Sequence, residues 1–227
     1  NRELIEKIYL TASGGPFLNK PLSKLKKVNY KQAIKHPNWK MGKKISIDSA
    51  TMMNKVFEII EAKKIFNITY NKLSILIHPK SYVHAIIKFK NGLTKIVAHD
   101  TNMKIPIFNS IYLNEKNKIN SEKINLSTLN NLNFSLPNKK KFNSINFLKY
   151  IKNKNTLFET ILITANDELV NLYLKDKINF KDIYSLTKKT VRLKIFKRYF
   201  NKKPKNPDEI INLVKKVRFK INQLCNI

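Results

Sequence analysis

HPNWKMGKKISIDSATMMNK, residues 36–55, joins a loop to a helix and concentrates chemistry in twenty positions. The loop holds His36, the sole tryptophan Trp39, Met41 and Gly42; Asp48, Ser49, Asn54 and Lys55 follow, and Glu58 comes three residues later. Met52, Val56, Ile59, Ile60 and the stem of Lys63 recur on one side, which predicts a helix over residues 49–66 capped by Asp48 or Ser49. On that helix Asn54, Lys55 and Glu58 cluster, at spacings of one, three and four. Their neighbours Met52, Met53, Val56, Phe57, Ile59 and Ile60 are apolar, so the polar stripe needs partners or a ligand. A helix start at Ser49 and Ala50 would also favour an anion. The plainer reading is an ordinary capped helix with a Lys55–Glu58 surface pair, and the helix alone does not exclude it.

Working outward, residues 5–11 alternate as a strand and run into the turn Ala12-Ser13-Gly14-Gly15-Pro16-Phe17. Short helical pieces are expected at 22–27 and 30–35. After the central helix come strands at 73–78, 81–90 and 93–98, the last two joined at Asn91-Gly92, a hairpin signal. A helix near 106–113 closes this region. Residues 114–154 loosen into Asn, Lys, Ser and Leu and read as a linker. Three helices then follow: one through Leu157, Ile161, Ala165 and Leu172, one over 179–199, and one with Asn206 as cap and Pro207 in the first position. The expected class is α+β: an α/β region with a mixed sheet and flanking helices over 1–113, the linker, and a helical bundle over 155–227.

At 227 residues and 42% hydrophobic content the chain can bury a good core, and no apolar run approaches a membrane span. The start NRELIEKIYL lacks the pattern of a secretory signal. The single cysteine, Cys225, forms neither an internal disulfide nor a metal cluster, so a cytoplasmic setting is expected. A net charge of +30 invites a nucleic-acid reading. Against it, only Arg2, Arg192, Arg198 and Arg218 are arginines, and the lysines are scattered among Asn and Ile rather than gathered in a stripe. Neither nucleic acid nor membrane is an expected partner.

Other candidates are weaker alone. Ser13-Gly14-Gly15 after a strand could cradle phosphate or simply turn, and no GxGxxG fingerprint occurs in the chain. Trp39 and Met41 suit either a ligand cover or a core. His78 and His84 read as packing residues. Glu58 is a hard oxygen ligand suited to Mg²⁺ or Mn²⁺, yet one carboxylate is not a site.

Taken in order, TASGGPF (11–17), HPNWKMGKKISIDSATMMNK with Glu58, IEA (60–62), LIHPKSYVHA (76–85), NMKIP (102–106) and, more faintly, TANDELV (164–170) resemble the 1-deoxy-D-xylulose 5-phosphate reductoisomerase family. The resemblance implies NADPH and Mn²⁺ or Mg²⁺ as cofactors and a phosphorylated sugar as substrate, rearranged and reduced to 2-C-methyl-D-erythritol 4-phosphate in non-mevalonate isoprenoid biosynthesis. It implies that Ser13, Ser49, Asn54 and Lys55 hold the substrate phosphate, with Ser81 supporting that end. Glu58 would ligate the metal, His36 would touch substrate from a mobile loop, and Trp39 would act as a lid. Met41 and Gly42 would lie near the nicotinamide, and Met103 would line the site. A homodimer is implied for the intact enzyme.

The sequence departs from the family pattern at Val56-Phe57, where small residues are usual, and at Asp100-Thr101-Asn102, where Pro-Asp is usual. The family's dinucleotide-binding domain, its catalytic lysine and the Asp-Ser-Glu segment with the other two metal carboxylates do not occur ahead of Asn1. The expectation is therefore a C-terminal portion of a longer enzyme, inactive alone. A non-catalytic phosphate-binding remnant is the alternative, and a basic nucleic-acid binder a more distant one.

Overall fold

The computed structural model describes residues 2–112 and 117–226. Its strands are β1 (Ile5–Ala12), β2 (Leu73–Ile77), β3 (Val83–Phe89) and β4 (Thr94–Ala98). Its α-helices, in chain order, are α1 (Tyr30–Ala33), α2 (Lys43–Thr51), α3 (Met53–Phe66), α4 (Lys104–Ile111), α5 (Leu126–Asn130), α6 (Leu157–Leu174), α7 (Phe180–Val191) and α8 (Pro207–Cys225). The chain forms two compact units, each built from separated segments: Asn1–Gly14 with Asn71–Pro137, and Gly15–Tyr70 with Asn138–Ile227.

The first unit is a mixed four-stranded sheet in the order β2-β1-β3-β4. β1 and β2 run parallel, from Ile8 opposite Leu73 to Ala12 opposite Ile77. Parallel neighbours need a long crossover, and here the whole of residues 13–72 supplies it. β3 is antiparallel to both β1 and β4. Gly92, at φ +88°, turns the β3–β4 hairpin as Asn91-Gly92 predicts, with its N–H donating to the Phe89 carbonyl at 3.1 Å. This topology brings the carboxyl ends of β1 and β2 and the amino end of β3 to one edge of the sheet, so Ser13, His78 and Ser81 gather there. The His78 N–H donates to the Ala12 carbonyl at 2.7 Å, and the Ser81 N–H to the His78 carbonyl at 3.0 Å.

The second unit is helical. Leu157, Phe158, Ile161, Leu162, Ala165 and Leu169 line the buried side of α6, the central helix. Ile47, Met53, Val56 and Ile60 from α2 and α3, Ile183 and Val191 from α7, and Leu213, Val217 and Ile221 from α8 complete the core. The caps follow local chemistry: Asn206 Oδ1 accepts the Glu209 N–H at 2.9 Å, with Pro207 in the first turn of α8. Among the described residues no helix is long and apolar enough to cross a membrane.

Several elements differ from the sequence expectation. The helix expected over 49–66 is two helices, broken at Met52 in the left-handed region (φ 63°, ψ 15°). No Gly or Pro announces this break; the Met52 side chain is wholly buried, and that burial offsets a backbone cost of about 1–2 kcal/mol. The helix expected over 179–199 ends at Val191, and a 3-10 helix takes up Lys194–Tyr199. The piece at 22–27 is 3-10, and the one at 30–35 contracts to α1. The helix expected near 106–113 is α4, with Leu113 outside the described residues. The stretch read as a linker, of which 114–116 lie outside the described residues, carries α5, an isolated bridge between Ile77 and Ser135, and a 3-10 helix at Asn143–Tyr150. Ile145 and Phe147 of that 3-10 helix are buried.

Candidate functional site

The break at Met52 changes the local electrostatics. Ser49 lies in the last turn of α2, so the argument that its N–H begins a helix does not hold. The helix start belongs instead to α3, whose first turn carries Asn54 and Lys55. Thr51 caps it from outside, its Oγ1 accepting the Met53 N–H at 3.3 Å, while the Met52 N–H donates to the Ser49 carbonyl at 3.1 Å. Gly15 presses on this corner: a β-carbon there would meet the Ser49 carbonyl oxygen at 2.8 Å, and φ is +66°. The glycine pair after β1 therefore answers a packing need at Gly15.

Lys55 Nζ donates to both carboxylate oxygens of Glu58, at 2.7 and 2.6 Å. The lysine side chain is 12% exposed and the glutamate 38%, so the pair sits at the rim. Asn54 Oδ1 is buried and has no hydrogen-bond partner among the described residues. His36 completes the group. Its Nδ1 accepts the backbone N–H groups of Asn38 at 3.2 Å and Trp39 at 3.0 Å, which places the neutral ring's proton on Nε2. Burial, and then the Lys55 ammonium nearby, hold His36 below its ordinary pKa of 6.5, so the ring is neutral at pH 7. Trp39 and Met41 are half-buried. Exposed Gly42 precedes α2, its carbonyl accepting Ser46 N–H at 3.1 Å and Ser46 Oγ–H at 3.0 Å.

What secures this corner was missed in the sequence. Asp48, read as a cap, is buried in α2 and accepts Asn166 Nδ2–H from α6 at 2.7 Å and an ion pair from Lys44 at 3.0 Å. Lys44 also pairs with Asp167 at 2.8 Å. Burial lifts the Asp48 carboxyl above its ordinary value, against the pull of Lys44 and Asn166. At the far end of α3, buried Lys63 pairs with buried Glu159 at 3.2 Å. TANDELV (164–170) was the only signal for Asn166 and Asp167, and nothing local pointed to their partners.

Ser13, Ser81 and Met103 lie in the sheet unit. Ser81 is buried with φ +55°, Ser13 is half-buried, and Met103 is exposed ahead of α4. His78 is fully buried; its ring stacks on Phe134, and its Nδ1 lies 3.0 Å from the Asn133 carbonyl. His84 stacks on His99 with centroids 3.7 Å apart. Among the described residues no group of three or more His, Cys, Asp and Glu could hold a metal ion. A hard divalent cation wants about six oxygen ligands; these residues offer one carboxylate, already on Lys55, and do not by themselves fit the ion.

Residues 1–66 match a family described as 1-deoxy-D-xylulose 5-phosphate reductoisomerase C-terminal domain. Residues 99–220 match one described as DXP reductoisomerase C-terminal domain. The 1-deoxy-D-xylulose 5-phosphate reductoisomerase of Pelagibacter ubique is 56% identical over 96% of the chain and 56% of its own length. That of Persephonella marina is 40% identical over 100% of the chain and 60% of its own length. The chain thus spans somewhat over half of these relatives. A crystal structure of DOX-P reductoisomerase in complex with NADPH, fosmidomycin and magnesium superposes with a TM-score of 0.92 at 33% identity, over 98% of this chain and 55% of that one. The Zymomonas mobilis enzyme in complex with NADPH gives 0.87 at 29% identity, over 99% of this chain and 57% of that one.

Proposed function

The chain belongs to the 1-deoxy-D-xylulose 5-phosphate reductoisomerase family, and from that premise we propose that the whole protein rearranges and reduces 1-deoxy-D-xylulose 5-phosphate to 2-C-methyl-D-erythritol 4-phosphate, with NADPH and Mn²⁺ or Mg²⁺. The observation that carries the reading is the grouping of Asn54, Lys55, Glu58 and neutral His36 around the first turn of α3.

In this reading Asn54, Lys55 and Ser49 hold the substrate phosphate with Ser13, and Ser81 supports that end. The start of α3 adds its dipole. A phosphate bound at Lys55 would compete with its ion pair to Glu58, and that carboxylate would then be one ligand for a metal. His36 offers Nε2–H to a substrate oxygen, Trp39 closes over the site and excludes water, and Met103 lines it. Met41 and Gly42 would lie beside the nicotinamide, whose chemistry when bound would be hydride donation. Since the described residues bring the metal a single carboxylate, no step here passes through the ion.

These residues alone are proposed to be inactive. The isolated chain should show no NADPH oxidation, and oxidation dependent on both the sugar phosphate and Mn²⁺ would overturn that. In the whole protein Glu58→Gln should abolish turnover while leaving the fold intact; full activity removes Glu58 from the metal site. The lone carboxylate also favours a second reading, a phosphate binder without turnover. It would be preferred if the whole protein bound inorganic phosphate through Lys55 and never oxidised NADPH. We propose a cytoplasmic homodimer, for which Cys225 as the sole cysteine and the exposed edge strand β4 are the supports.

A further inference from the structure

A cationic cavity of about 450 Å³ lies within the helical unit at the other end of α3, roughly 13 Å along the axis from Lys55 at 1.5 Å per residue. Three segments meet there: the end of α3 with Lys64 and Asn67, the loop before α6 with Asn153, Lys154 and Asn155, and the loop before α8 with Lys203. No carboxylate lines it. The nearby acid, Glu159, is already taken by Lys63 at 3.2 Å and Lys64 at 2.8 Å. Lys154 and Lys203 have no carboxylate partner among the described residues.

The walls are pinned. Lys63 Nζ donates to the Lys152 carbonyl at 2.8 Å, and the Leu157 N–H donates to the Lys202 carbonyl at 2.8 Å. Asn153 Oδ1 accepts the Tyr70 N–H at 2.9 Å, which commits that oxygen and leaves the Nδ2 hydrogens for another acceptor. Scattered lysines on a chain of +30 attract anions diffusely. Here the Lys154 and Lys203 side chains, with no carboxylate partner among the described residues, and the Asn153 amide line one concave surface held from three sides.

We infer that this cavity binds a small phosphoryl anion, a phosphate or diphosphate group, independently of the Lys55 site. The test is calorimetric titration of the full chain with inorganic diphosphate at constant ionic strength, using three variants. Lys154→Ala/Lys203→Ala should weaken one class of binding by about tenfold or more, as loss of two charge-assisted hydrogen bonds predicts. Lys31→Ala/Lys175→Ala, which removes the same charge from exposed positions elsewhere, should leave that class unchanged. Lys55→Ala should also leave it unchanged, which separates this inference from the active-site reading. Unaltered binding in the Lys154/Lys203 variant, or an equal loss in the Lys31/Lys175 variant, overturns the proposal.

Discussion

At Gly15 the obstacles to a side chain are all backbone: the Ser49 carbonyl oxygen at 2.8 Å, its carbon at 3.1 Å and the Ala50 α-carbon at 3.2 Å. No rotamer change relieves them, and a positive φ adds its own penalty. Gly15→Ala should cost about 2–5 kcal/mol, summing left-handed strain and overpacking, read as a fall in the urea midpoint. The Asp48–Asn166 bond makes a sharper prediction, because its partners can be exchanged. Asn166→Asp sets two carboxylates 2.7 Å apart and should destabilise by about 2–4 kcal/mol. Asp48→Asn in the same chain restores one amide and one carboxylate and should recover most of the loss; a cycle without coupling would remove the pair from the account of α2. His36 gives a pH dependence of definite sign. Its folded pKa is lowered, so the unfolded chain binds the proton more readily: this contribution is full above the ordinary 6.5 and is lost as pH falls through the folded value. An NMR titration of the ring should place its midpoint below 6.5, and a midpoint above it would contradict the neutral donor. The grouping of Asn54, Lys55 and Glu58 was legible because the three share one helix at spacings of one, three and four. Asn166 was not, since it meets Asp48 from 118 residues away.

Among the elements, α3 is bounded at both ends by left-handed residues with opposite expected responses. Met52 and Asn67 have φ of 63° and 50°. Met52→Gly relieves about 1–2 kcal/mol of backbone strain but removes a fully buried side chain worth about 2–5 kcal/mol, so the variant should be less stable. Asn67→Gly relieves a smaller strain, since Asn tolerates the left-handed region, and at an exposed position should be neutral or stabilising by up to about 1 kcal/mol. Thermal melts of the two variants decide it; equal shifts would mean that Met52 packing does not hold the break. Element ends were readable where they rest on local chemistry, as at Asn206-Pro207 and Asn91-Gly92. The break in the middle of residues 49–66 was not, because apolar spacing runs through it unchanged and burial alone sustains it.

Over the whole molecule, the sheet unit ends on a strand, β4, with every residue exposed; Ile96 is 52% open to solvent. α4, rich in apolar residues, has none buried. An edge of this kind invites another strand, in line with the homodimer we propose. Light scattering should give twice the chain mass at micromolar concentration, and Ile96→Lys should return it to one; a monomeric wild type would reject this edge as an interface. The fold class was readable from periodicity. The pairing of Gly15–Tyr70 with Asn138–Ile227 was not, since the matching core residues share no local pattern. That discontinuity has a consequence during synthesis. Asp48 leaves the ribosome 118 residues before Asn166, about 6–24 s at 5–20 residues per second. Through that interval Ile47 has no α6 to cover it, and Val56 and Ile60 lack the 3-10 helix at Asn143–Tyr150, while the strands of the sheet unit emerge. The nascent chain thus presents an uncovered apolar helix pair after the sheet strands have emerged, and slowing translation between residues 71 and 137 should lengthen its exposure to chaperones and proteases.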